Sequence, residues 1–304
     1  FRRVLFRSSD LTAGLEYNRD RLKDNMWGYN RHTDQTVNIY SAFLQNEWKN
    51  DRWGILIGGR LDKHNMVDNV IFSPRANLRF NPTQNINLRL SYSSGFRAPQ
   101  AFDEDMHIEN VGGTVAMIER AKDLKEEKSQ SFSVSADMYH RFGAFQTNLL
   151  IEGFYTRLTD VFVLGKPYDR GDGILVKTRS NGPGAKVMGL TLEGKVAYLS
   201  ILQIQAGLTL QRSRYDEPHK WHDDAPAEKK IFRTPDTYGY FTATCTPIKP
   251  LSIALSGTYT GRMLVQRMDI TAENAELGKM PERKAEAIRT PRFFDLGVKL
   301  AYDF

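Results

Sequence analysis

A chain of 304 residues, 40% hydrophobic and 11% aromatic, has the length for one large β domain or two ordinary ones. Nowhere do about 18 apolar residues run together, which excludes a transmembrane helix but not a membrane β-barrel, whose strands turn alternate residues to lipid and lumen. The single Cys245 excludes an internal disulfide and multi-thiolate zinc sites, and a net charge of +6 carried by scattered basic residues argues against nucleic acid as a partner.

The opening "FRRVLFRS" has no initiator Met, no apolar h-region and no small-residue cleavage site, so it is not a signal peptide. It reads like a translated sequencing adapter, and residues 1–8 are set aside as non-native; the domain is assigned to 9–304. From there, period-2 segments separated by turn signals predict strands. "LTAGLEYNRDRLK" puts Leu11, Ala13, Leu15 and Tyr17 on one face. "TVNIYSAFLQNEWK", "WGILIGGRLDKHN" and "FSPRANLRF" follow, then "NINLRLSYSSGF", where Ile86, Leu88, Leu90 and Tyr92 alternate with Asn87, Arg89 and Ser91.

After a long insert come "SQSFSVSADMYHRF" and "AFQTNLLIEGFYTRLTDVFVL", split by Gly143. "LVKTRSN", "VMGLTLEGKVAYL" and "LQIQAGLTLQRSRY" continue the pattern, and "TYGYFTATCTPI", "LSIALSGTYTGRMLV" and "TPRFFDLGVKLAYDF" complete it. The count is about twelve long strands, with a short helix expected only near "ITAENAELGK". Cys245 shares a face with Phe241 and Ala243 and reads as a small lipid-facing residue.

The connections alternate in kind. "KNDR", "NPTQN", "FG", "LS" and "PIKP" are short; residues 24–34, 64–70, 97–127, 166–186, 216–234 and 269–290 are long and charged. Short turns at one end and long loops at the other are the signature of an outer-membrane barrel. Strands of ten to fifteen residues suit a bilayer, which takes about 9–11, better than soluble sheets of about five or six. Trp48, Trp53, Phe80, Tyr139, Phe142, Tyr198 and Tyr302 gather toward the short turns, where an interfacial girdle would sit. The final segment alternates to its last residue, Phe304. That suits a spanning strand, because an open edge in hydrocarbon leaves backbone groups unsatisfied.

"NINLRLSYSSGFRAPQAFDEDMHIENVGG" resembles the central barrel motif of TonB-dependent outer-membrane receptors, in which a strand runs into a "GFRAP" turn and an acidic loop. "GGRLDKHN", "FSPRANLRFNPT", "RTPDTYGYFTATCTPIKPLSIALSGTYTG" and "PRFFDLGVKLAYDF" are similar to the same family in the same order, and to its Bacteroidetes-like members most. The resemblance implies an antiparallel transmembrane β-barrel of about 22 strands with a plug. It further implies uptake of a scarce ligand, an iron–siderophore, haem or cobalamin-like molecule, driven by the proton-motive force through the TonB complex. It implies no cofactor and no enzyme activity. The expected location is the outer membrane of a Gram-negative bacterium, with its lipid and lipopolysaccharide as surroundings. Plug, TonB-contacting segment and about ten strands have no counterpart here, so the chain is expected to be a C-terminal part of such a barrel. Tyr302 and Phe304 resemble the terminal tag read by the outer-membrane assembly machinery. A carbohydrate importer of the same family, a passive porin, and a twelve-stranded phospholipase-type enzyme are the alternatives. The last would need an activated Ser–His pair at one rim, which no strand displays.

Site candidates fall in the loops. Arg97, beside Asp103, Glu104 and Asp105, is expected to brace the loop through charge-assisted hydrogen bonds, with Arg97, Gln100 and Asp103 as candidate ligand contacts. His107 occupies the region where haem receptors of the family carry an iron-binding His, although "IENVGG" replaces the "NPNL" box. In "EPHKWHDD", His219 and His222 with Asp223 and Asp224 offer a donor set for a transition metal, against the plainer reading of a solvated loop. Asp103, Glu104, Asp105 and Glu109 offer oxygens for calcium but lack the spacing and central Gly of an EF-hand. The basic run from Lys279 to Arg289 belongs on an outer loop, near lipopolysaccharide phosphates or an anionic ligand.

Overall fold

The computed structural model describes residues 8–29, 31–101, 109–111, 114–171, 174–221, 225–270 and 283–303. In chain order, β1 (Ser8–Met26) is followed by a 3-10 turn at Trp27–Tyr29, then β2 (Arg31–Lys49), β3 (Trp53–His64), β4 (Ile71–Thr83) and β5 (Ile86–Arg97). Two short strands, β6 (Glu109–Val111) and β7 (Thr114–Arg120), precede β8 (Glu127–Phe142) and β9 (Phe145–Thr159). Then β10 (Phe162–Asp169) and β11 (Leu175–Asn181) lead to β12 (Ala185–Tyr198), β13 (Leu202–His219) and the short β14 (Glu228–Lys230). The chain continues through β15 (Thr237–Ile248), β16 (Leu251–Thr260), β17 (Leu264–Ile270), β18 (Arg283–Arg289) and β19 (Phe293–Tyr302).

Twelve long strands form one antiparallel meander in the order β1-β2-β3-β4-β5-β8-β9-β12-β13-β15-β16-β19, with β14 attached to β13. The expected all-β wall is therefore present, and the short turns at 50–52, 84–85, 143–144, 199–201 and 249–250 all lie at one end of it. Gly143 makes the tightest of these possible by adopting φ +56°, a conformation that a Cβ would strain.

Register shows why the dyad pattern matters. Trp48, Ile55, Leu78, Leu90, Val134, Gly153, Leu190 and Leu210 are successive cross-strand partners, so one apolar row crosses eight strands on one face. A second row joins Tyr198, Leu202, Cys245, Ile253 and Leu300 on the same face, which places Cys245 as its alternation predicted. Many side chains of this face are exposed, among them Leu15 at 87%, Val298 at 75% and Val134 at 59% accessible, and others in the rows, such as Ile55 and Leu78, are half-buried. Among the described residues, the one cluster of buried apolar residues is small, comprising Val67, Ile71 and Ala98 with Phe96 packed on it.

Removing a large aliphatic side chain from water is worth about 1.5–3 kcal/mol, so a wall that leaves dozens of them outside is matched to hydrocarbon, not to water. At Gly189 the apolar and polar faces meet a packing limit: a Cβ there would fall 2.5 Å from the Leu210 carbonyl oxygen and 2.6 Å from the ring of its partner Phe154.

The opposite face carries polar networks. Arg60 donates to Glu16 (2.9 Å), Asp62 (2.8 Å) and Ser41 (2.8 Å), while Ser41 donates to Asp62 (2.6 Å). Farther round, Tyr240 (2.6 Å), Gln205 (3.1 Å) and Lys195 (3.1 Å) converge on Glu193. Charges on this face are satisfied by neighbouring side chains.

Several expectations change. Residues 24–34 do not loop: the β1–β2 ladder runs unbroken to Met26 and Arg31, and Arg21–Asp34 and Arg31–Asp24 ion pairs (both 2.8 Å) clasp its tip. "AFQTNLLIEGFYTRLTDVFVL" is two strands, because Asp160 turns left-handed at φ 54° and β10 then leaves the wall. "LVKTRSN" lies in a separate four-stranded sheet, β10-β11-β7-β6, outside the wall. "LSIALSGTYTGRMLV" breaks at residues 261–263, after which β17 pairs with β18 alone. Tyr139 is not in the girdle; it faces the polar side and donates its hydroxyl to Asp137 (2.8 Å). Among the described residues β1 pairs only with β2 and β19 only with β16, so the wall is an open sheet rather than a closed ring. In the segment expected to hold a helix, residues 271–279 lie outside the described residues.

Candidate ligand-binding site

The long connections meet at the end of the wall opposite the short turns, and the "FRAPQA" stretch organises them. β5 ends as Phe96 joins the small apolar cluster and Ala98 becomes buried in it. Pro99 and Gln100 then reverse the chain, with the Gln100 N–H donating to the Ala98 carbonyl (2.9 Å). The strap is bound to β2 through Gln35, whose buried side-chain oxygen accepts from Ala101 N–H (2.9 Å) and from Arg120 Nη1 (2.9 Å). Arg120 Nη1 also donates to the Pro99 carbonyl (2.9 Å), so one guanidinium joins β7, the strap and β2.

Gln100 continues the clamp on β3. Its Oε1 lies 3.2 Å from Nε2 of His64, which is almost fully buried, and Met66 N–H donates to His64 Nδ1 (3.0 Å). An Nδ1 that accepts is unprotonated, so Nε2 carries the hydrogen and donates to Gln100. Burial depresses the His64 pKa below the ordinary histidine value and reinforces this neutral tautomer. His64 lies beyond the apolar belt of β3, whose last large member is Leu61.

Two long loops are sewn together beside the strap. β7 and β11 pair in parallel, and Ala121 N–H donates to the Arg179 carbonyl (2.9 Å). Asn181 makes three further contacts, accepting from Lys125 N–H (2.8 Å) and donating to the carbonyls of Lys125 (3.1 Å) and Asp160 (2.8 Å). Phe162 N–H donates to the Glu127 carboxylate (2.9 Å), while the Arg97 guanidinium sits over the Phe162 ring, 5.5 Å from its centre.

Between these parts is a cavity of about 620 Å³ lined by Arg31, His32, Met66, Pro99, Arg120 and Arg170 among others. Arg31, Thr33 and Gln35 share the side of β2 that carries Ser41, because the ladder with β1 has no register shift. Ser41 belongs to the polar network, so the cavity opens on the polar side of the wall. Within it Arg170 pairs with Glu119 at 3.4 Å.

The structure thus brings Arg97 and Gln100 into one region and gives both bracing contacts; Asp103 and His107, with Glu104 and Asp105, lie outside the described residues. His219, at the end of β13, stands alone of its pair, since His222, Asp223 and Asp224 lie outside them too. The His219 ring is 5.7 Å from that of Tyr215, and burial lowers its pKa. Among the described residues no group of three His, Cys, Asp or Glu is placed to hold a metal ion. Tyr302 lies on the apolar face opposite Leu251, and Phe304 lies outside the described residues. Gln35, His64 and Arg120 were not anticipated. Their only sequence signal is that Gln35 keeps the polar-side parity of β2.

Comparison with known proteins agrees with this geometry. Residues 3–304 match the family model described as TonB dependent receptor-like, beta-barrel. Among solved structures, the siderophore receptor PirA from Acinetobacter baumannii is similar at 16% identity, with a TM-score of 0.66, over 97% of this chain and 46% of that one. A mutant of the ferric enterobactin receptor PfeA from Pseudomonas aeruginosa gives 16% identity and 0.68 over 99% and 44%. The FrpB iron transporter from Neisseria meningitidis gives 13% and 0.63 over 98% and 46%. The chain therefore spans under half the length of each of these three, and no curated protein sequence matches it. Fold, topology and the match along nearly the whole sequence lead to one assignment: this chain belongs to the TonB-dependent receptor-like β-barrel family.

Proposed function

We propose that the chain is part of an outer-membrane active-transport receptor that captures a scarce ligand, such as an iron–siderophore, haem or cobalamin-like molecule, and imports it with energy relayed by TonB. The observation that carries this reading is an asymmetry of the wall. Its exposed apolar face suits a bilayer, while the described parts of the long connections lie at the end away from the short turns, where those around residues 66, 99–101, 118–124 and 170 line a cavity. Such an end faces the medium, where ligand is met. The iron and siderophore receptors named above share the fold and support iron as the cargo. Bacteroidetes-like relatives remain the proposed source. Tyr302 and Phe304 are the proposed signal for the assembly machinery, with Tyr302 on the lipid-facing side as such a strand requires.

Uptake of radioactive iron complexes by iron-starved cells producing the whole receptor tests the reading. Accumulation that stops when a protonophore collapses the proton-motive force is expected. Accumulation that persists would identify a passive pore instead.

A further inference from the structure

We infer that the loop-end rim of the lipid-facing surface carries a built site for one lipid, its phosphorylated headgroup on a row of cations and an acyl chain in the groove below. The inference rests on the bilayer placement above and is independent of the ligand transported.

The row follows from register. The β9–β12–β13 ladders contain no shift, so the alternation that puts Gly153, Leu190 and Leu210 on the apolar face brings Tyr155, Met188 and Arg212 next toward the loop end. One more step sets Arg157, Lys186 and Arg214 side by side, and Lys230 of β14 stands opposite Arg214. Four neighbouring strands thus each place a cation in one line at the edge of the apolar belt. Like charges directly opposed across strands repel, so the line is costly until something anionic lies on it.

The protein's own carboxylates answer only part of that charge. Asp216 accepts from both Nη atoms of Arg157 (2.5 and 2.6 Å) and lies 3.5 Å from Lys186 Nζ. Lys230 pairs with Asp236 (2.6 Å), and Glu228 lies two positions from Lys230 on β14. With Arg212 included, five cations meet these three carboxylates. Arg212 and Arg214 are exposed, and among the described residues no side chain bonds or pairs with either.

Below the row is a groove of about 760 Å³, lined by Val134, Tyr155, Met188, Leu190, Leu210 and Arg212 among others. Gly153 forms its floor. Packing does not demand that glycine, since a Cβ there would meet only Val134 Cγ1, at 3.7 Å, and its backbone is not left-handed. Its bareness leaves a notch in the apolar row between its cross-strand partners Val134 and Leu190.

The two features together point to the occupant. A free phosphate would use the cations and leave the groove empty, and an uncharged acyl chain would do the reverse. A lipid with a phosphorylated headgroup uses both, in the orientation a bilayer imposes, with the charge at the belt edge and the chain toward the midplane.

The test uses the full chain in zwitterionic detergent micelles, with binding read by native mass spectrometry. The probes are diphosphoryl lipid A, the same lipid without its phosphates, and inorganic phosphate. Diphosphoryl lipid A is expected to bind at least about tenfold more tightly than the dephosphorylated lipid. Arg212→Gln/Arg214→Gln is expected to lose about tenfold for the phosphorylated lipid alone. Gly153→Phe, which fills the notch, is expected to weaken both lipids, and Arg89→Gln, on the polar face beside Ser135, to change neither.

Equal binding of the two lipids overturns the headgroup assignment, and binding unmoved by Gly153→Phe overturns the groove. Inorganic phosphate binding as tightly as the lipid marks a bare anion site and overturns the inference as well. If neither lipid binds while the chain still inserts into vesicles, the inference fails and the bilayer reading stands; if the chain does not insert, both fail.

Discussion

The wall and the loop end are held by different kinds of information. In the wall, any apolar residue of adequate size serves at Val134 or Leu190, because ladder hydrogen bonds set the geometry and hydrocarbon sets the face. At the loop end, two donors from separate segments, Ala101 N–H and Arg120 Nη1, converge on the amide oxygen of Gln35, and no generic residue replaces it. The first region tolerates conservative change at many positions and fails on polarity. The second is indifferent to average polarity and fails on identity.

The sharpest way to break that contrast is to place a charge in the belt. Val134→Arg is expected to destabilise the folded wall by about 2–4 kcal/mol, read from denaturant unfolding in lipid vesicles, whereas Ser133→Arg on the polar face should change it little. Next in size is Gln35→Ala, which leaves the Ala101 N–H without this acceptor, removes one of the acceptors of Arg120 and should cost about 1–3 kcal/mol. Hydrogen exchange would show the loss concentrated in residues 98–101 and 114–120, with the ladder amides of β8 and β9 unchanged.

A smaller effect follows from His64. Its pKa is depressed in the folded state, so the unfolded chain binds the proton more readily and stability must fall as pH drops through the ordinary histidine value of about 6.5. Unfolding midpoints at pH 7.5 and 5.5 should differ in that direction, and His64→Gln should flatten the difference. The smallest effect belongs to Arg21–Asp34, an ion pair at the exposed tip of the β1–β2 hairpin. Arg21→Gln should leave the unfolding midpoint where it was.

How much of this was legible in the sequence follows the same division. "SQSFSVSADMYHRF" announces a two-faced strand because each side chain reports one of two solvents, and it lies within β8 with Phe132 and Val134 outward. The alternation of turn and loop lengths is equally visible. Partner choice off the wall is not: "LVKTRSN" has a strand composition, yet nothing in seven residues says that its neighbour will be β7, about sixty positions back and parallel. Asp160 breaks a continuous dyad pattern through one dihedral angle that its residue type merely permits. Gln35 and Arg120 are 85 positions apart, and no local pattern around either one points to the other. For Arg97 the expectation of bracing has a physical counterpart in Phe162, an aromatic partner that charge counting does not suggest.

The stitching of two loops by Asn181 bears on how such a receptor can diversify. Because that amide spans Lys125 and Asp160, lengthening either insertion by a residue would unpick the seam with the other. Changes in the two insertions would then be inherited as matched pairs, and a chimera exchanging only one of them should keep its wall yet lose the seam.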